Sequence, residues 1–131
     1  WRLLREGGWR LADGPALSID PWPYRDYICA SRGEFTVARE FNVAPRSGWF
    51  SERSACYLAA GRPVVTQDTG FSDVLPTGEG LFAFDTAEQA IEAIHAIDGD
   101  YERHAKAARQ IARDWFRAEV VLPRLLADLG A

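Results

Sequence analysis

Residues 46–84 read RSGWFSERSACYLAAGRPVVTQDTGFSDVLPTGEGLFAF, and the reading of this stretch decides the fold. Ser51 to Ser54 is a polar first turn, followed by the small and apolar Ala55, Leu58, Ala59 and Ala60, which predicts a helix starting near Ser51. Gly61 is the expected left-handed stop, and Pro63 keeps the helix from continuing. Pro63 to Thr66 reads as a short buried strand. It runs into Asp68-Thr69-Gly70, a turn at the carboxyl edge where open α/β sheets hold ligands. Phe71 to Glu79 is turn-rich, and Leu81 to Phe84 is another buried strand.

Upstream, Trp1 to Glu6 reads as the tail of a helix, and Trp9-Arg10-Leu11 as a short strand broken by Asp13-Gly14-Pro15. Asp20 with Pro21 is a helix cap, and Tyr24, Tyr27 and Ile28 recur at helical spacing behind it. Glu34 to Ala38 alternates and is β-rich, a strand; Asn42 to Gly48 is a loop. Downstream, Thr86 and Gln89 form a capping box, opening a helix with Ala90, Ile91, Ile94 and Ile97 on one face. Asp100 caps the next helix, and a last one carries Val121, Leu122, Leu125, Leu126 and Leu129, with Pro123 predicting a kink or restart. Short apolar strands alternating with helices predict an α/β domain, a Rossmann-like parallel sheet of about four strands with helices on both faces.

A chain of 131 residues fits one such domain, and four strands are few for a complete doubly wound one. Together with a first residue that is not Met, this is read as an N-terminally truncated piece. The net charge of −4, with arginines scattered among acids, argues against a nucleic-acid partner. No run is long enough to span a bilayer, and no signal peptide is visible. Cys29 and Cys56 sit in apolar or helical contexts and read as buried thiols rather than a disulfide framework, which fits a reducing, cytoplasmic compartment. The five tryptophans are dispersed, and most are expected in the core.

The helix start at Ser51 to Ser54 combines N–H groups, two hydroxyls and the Arg53 guanidinium, a pattern suited to a diphosphate. Its structural alternative is an ordinary cap, with Ser51 capping, Arg53 solvated and Glu52 already complementing the dipole. Trp49, in the loop entering this helix, either walls a sugar or base pocket or packs in the core. Gly78 to Ala83 matches G-x-G-x-x-A but lies before a strand, where the dinucleotide fingerprint does not occur. No phosphate-loop or nucleophile-elbow pattern is present. His95 and His104 have no neighbours at ligand spacing, read as helix-surface or boundary residues, and predict no metal site.

The block from about Ser31 to Ala112 resembles the carboxyl-terminal domain of GT-B glycosyltransferases, most closely the glycosyl-transferases-group-1 or spore-coat-type branch. The residues that carry the likeness are A-A-G-R-P-V-V at 59–65, S-x-R-S at 51–54, Q-D-T-G at 67–70 and G-E-G-L at 78–81. The spacing A-x-x-I-A-x-x-x-F from Ala108 to Phe116 fits as well. The resemblance implies a half-enzyme that binds a nucleotide-diphospho-sugar donor, while an upstream domain, absent here, holds the acceptor. It maps the donor diphosphate onto Ser51, Arg53 and Ser54, and the donor-sugar pocket onto Trp49, Phe50, Asp68, Thr69 and Gly70. It implies no cofactor and no metal, since the helix dipole and basic side chains offset the leaving diphosphate. Many retaining members carry two glutamates eight positions apart here; this chain has Gly48 and Cys56, so no catalytic residue is carried over. The missing acids motivate a second reading, a non-catalytic interaction or oligomerisation domain on the same scaffold, with a homodimer formed through an open sheet edge. A flavodoxin-like or receiver-like domain would need an acidic cluster or flavin-phosphate loop at the first strand end, which is not visible.

Overall fold

The computed structural model describes residues 2–10 and 12–130. In chain order the helices and strands are α1 (Arg2–Glu6), α2 (Gly14–Ser18), α3 (Pro21–Ala30), β1 (Glu34–Thr36), α4 (Glu40–Val43), α5 (Glu52–Ala59), β2 (Val64–Gln67), β3 (Leu81–Phe84), α6 (Ala87–Gly99), α7 (Tyr101–Trp115) and α8 (Ala118–Asp128). A 3-10 turn, Phe71–Asp73, lies between β2 and β3. The three strands form one parallel sheet in the order β1-β2-β3, with Glu34 in register with Val64 and Val64 with Leu81.

Alternation along the strands sends successive side chains to opposite layers. Val64 and Leu81 face Leu58 of α5 and Ala108, Ile111 and Ala112 of α7. Val65 and Phe84 face Ala90, Ala93 and Ile97 of α6. The sheet is therefore covered on both faces, as continuous apolar strands require. The order of elements explains the layering: α5 links β1 to β2 on one face, α6 leaves β3 on the other, and α7 returns to the first.

Among the described residues the sheet has three strands, not about four. Trp9 and Arg10, expected in a strand, have no regular structure, and Leu11 lies outside the described residues. Trp9 N donates back to Leu4 O at 2.9 Å, closing the end of α1, so its main chain is engaged there although it lies beside β1. Asn42, expected in a loop, belongs to the short helix α4.

The local signals at the helix ends are present. Asp20 accepts from Trp22 N with Pro21 at the start of α3, Gly61 (φ 70) closes α5, and Asp100 accepts from Arg103 N at the start of α7. Pro123 is inside α8, which runs as one helix.

The expected burials need correction. Cys29 and Cys56 are exposed: α5 turns Ser54, Tyr57 and Leu58 inward, which places Cys56 outside, and in α3 only Ile28 is buried. Trp9, Trp22 and Trp49 are exposed, and Trp1 lies outside the described residues. Trp22 instead stacks under the Arg25 guanidinium. Ile91 and Ile94 are exposed because α6 presents Ala90, Ala93 and Ile97 to the sheet. His104, expected at a surface or boundary, is buried; its Nδ1 accepts from Gly80 N and its ring lies against Phe82. His95 is exposed. Val121, Leu122, Leu125 and Leu126 of α8 are exposed too, as is Leu129 just past its end.

Both halves of the capping box form: Thr86 Oγ1 accepts from Gln89 N, and Gln89 Oε1 accepts from Thr86 N. Thr86→Ala is expected to lower stability by about 1 kcal/mol in urea unfolding, with the slope of the transition unchanged.

Candidate functional site

Two polar networks flank the start of α5. The first is at the carboxyl edge of β2. Gly48 N donates to Thr69 O at 2.8 Å, and Thr69 Oγ1 donates to Trp49 O at 2.6 Å. The loop entering α5 is thus fastened to the turn leaving β2. Gly70 has φ 95, and a Cβ there would come within 3.1 Å of Arg46 O, so both backbone and space call for glycine. Asp68 lies beneath this turn. Its Oδ1 accepts from Gly70 N at 2.9 Å, and its Oδ2 from Ser72 Oγ at 2.7 Å and Arg46 Nη1 at 3.3 Å. Arg46 also reaches Asp73 at 3.0 Å.

Burial alone would raise the Asp68 pKa. The bonds from Ser72 and Gly70 and the Arg46 charge outweigh it and hold the carboxyl below its ordinary value.

The second network is on β1. Alternation puts Glu34 and Thr36 on the same face as α5. Glu34 Oε1 accepts from Arg53 Nε at 2.6 Å and from Thr36 Oγ1 at 2.8 Å, and Arg53 Nη2 donates to Thr36 Oγ1 at 2.9 Å. The Glu34 side chain is only 5% exposed. Burial lowers the Arg53 pKa, but the hydrogen bond and charge of Glu34 outweigh it and raise it. Burial also raises the Tyr24 and Tyr57 hydroxyls, against the lowering effect of the same guanidinium.

The residues singled out from the sequence divide between these networks. Trp49, Asp68, Thr69 and Gly70 belong to the first. Ser51 caps α5, its Oγ accepting from Arg53 N at 3.3 Å. Ser54 is buried, and Phe50 packs between Phe71 and Phe116 at 5.1 and 5.6 Å. Arg53 is turned toward β1, where it lines a groove of about 860 Å³ with Trp9, Tyr24, Tyr27, Glu34 and Phe35. None of residues 49–51 or 68–70 lines that groove. Thr69, 1% exposed, shapes the turn from inside.

Arg46 and Glu34 were not singled out from the sequence. Arg46 meets acids 22 and 27 residues away, which no local pattern announces. Glu34 had a signal: an acid at an inward position of the alternating stretch Glu34-Phe35-Thr36 needs a buried cation.

Among the described residues no group of three or more His, Cys, Asp or Glu is placed to hold a metal ion, and no helix is long and apolar enough to cross a membrane. No family model, curated protein or solved structure matches the chain.

The depressed Asp68 carboxyl contributes stability above its unfolded value, near pH 4, that is lost as pH falls through the folded value. Asp68→Asn is expected to be less stable by roughly 1–3 kcal/mol at pH 7. Its melting temperature is also expected to fall less steeply than the wild type's from about pH 4 downward, as thermal scans across that range would measure.

Proposed function

We propose that the chain is the nucleotide-diphospho-sugar-binding half of a GT-B-type glycosyltransferase. The observation that supports this reading is the joined rim, where the 47–49 loop, the 68–70 turn and the start of α5 meet at the carboxyl edge of a parallel sheet. Such an edge beside a helix start suits a phosphorylated ligand.

In this reading the diphosphate is held by main-chain N–H groups of the first turn of α5 and by the Ser51 hydroxyl, which keeps its own proton to donate. Arg53 pins α5 to β1 and does not contact the ligand. Trp49, 44% exposed at the same rim, lies against the base or sugar. The turn at Asp68, Thr69 and Gly70 sets the position of Trp49 through the Thr69 bond. The positive end of the helix offsets charge on the leaving diphosphate, which is chemistry that needs no bound metal. The acceptor is held by another domain, so the chain alone is not expected to turn over.

A specific observation favours the second reading, a non-catalytic interaction domain on the same scaffold. Both arginines that flank the rim, Arg46 and Arg53, are already paired with acids.

Calorimetry with uridine and guanosine diphosphates separates the two. One of them is expected to bind the wild type with a Kd of roughly 0.1–1 mM, weakened about tenfold in Trp49→Ala. Absence of saturable heat from both nucleotides would exclude the donor-binding reading.

A further inference from the structure

The groove beside β1 is separate from the rim and has its own unmet chemistry. Among the described residues β1 pairs with β2 on one side only. Glu34 N donates inward to Pro63 O at 3.0 Å. In a parallel ladder the N–H and C=O of one residue point the same way, and the direction alternates along the strand. Phe35 and Val37 therefore turn their main-chain groups to the open edge, and their side chains are 50% and 64% exposed. Beside them Glu34 Oε2 is buried without a hydrogen-bond partner among the described residues. A buried carboxylate oxygen of this kind calls for a donor. Trp9 and Arg10 wall the groove together with β1.

We propose that this groove is a strand acceptor. One extended polypeptide segment enters it, bonds to the main chain of Phe35 and Val37 as a fourth strand, and places a lysine, arginine or hydroxyl side chain against Glu34 Oε2. Three observations select this occupant. The unused main-chain groups are complementary to a strand and continue a ladder already built across β1, β2 and β3. The next strand in a sheet lies only about 4.8 Å away, so a single chain fits inside a walled groove. A second folded copy would have to bring its own sheet and helices past Trp9 and Arg10 to reach the same edge. The unpartnered acid sets the polarity of the segment, since Glu34 Oε2 accepts only from a donor. The inference does not rest on the nucleotide-sugar reading and uses none of its residues except Arg53, in its structural role.

The test uses the whole chain and a blocked seven-residue peptide of alternating valine and lysine, with amide hydrogen exchange as readout. Saturating peptide is expected to slow exchange at Phe35 and Val37 more than tenfold, and to leave Thr36, which already faces β2, unchanged. A peptide of the same sequence with alternate amides N-methylated is expected to give no protection, and Glu34→Gln to weaken the unmodified peptide several-fold. Equal protection by the methylated peptide, or none at millimolar unmodified peptide, would overturn the proposal. Protection of Phe35 and Val37 without peptide, rising with protein concentration, would overturn it in favour of a second copy at this edge.

Discussion

The carboxylate of Glu34 is inside the protein, and the arrangement around β1 follows from what that requires. A carboxylate with 5% of its side chain exposed is costly to bury unless a cation is held beside it in good geometry. Arg53, in the first turn of α5, is that cation, and Thr36 completes the set. The contact fixes the start of α5 against β1, and through α5 it fixes where the loop carrying Trp49 reaches the carboxyl edge of the sheet. It also engages two nitrogens of the Arg53 guanidinium, Nε with Glu34 and Nη2 with Thr36, on the β1 side of α5.

The rim is organised by a separate set of bonds. Asp68 gathers the turn from below, Arg46 bridges it to Asp73, and the main chains of residues 48–49 and 69 close the loop onto it. Most of these polar groups are satisfied within the protein. What the rim still offers a ligand is main-chain amides, one hydroxyl and an aromatic face. Such a surface would recognise an anion by dipole and geometry more than by net charge.

Much of the fold is legible in the sequence because its signals are local. The Asp20-Pro21 cap, the Thr86–Gln89 box, Gly61 after α5 and the apolar run at Val64–Val65 each act within a few residues, and each is found in place. The fourth strand is a different case, since Trp9 N is taken by Leu4 O at the end of α1 although the edge of β1 is nearby. Helix phase misleads for Cys56, Ile91 and Ile94, because Tyr57 and Ala93 are as good at facing the core and the sheet's shape decides between them. At the candidate site the position of the α5 start and of the Asp68 turn was readable. The direction of Arg53 was not, because it depends on an acid 19 positions earlier.

A double-mutant cycle on Glu34 and Arg53 tests the central claim most directly, with Glu34→Leu, Arg53→Met and the double variant compared by urea unfolding at pH 7. If the two side chains hold each other, Arg53→Met strands the buried Glu34 and costs about 3 kcal/mol, Glu34→Leu costs less because Arg53 is half-exposed, and the double costs less than their sum. Additivity within about 0.5 kcal/mol would contradict this.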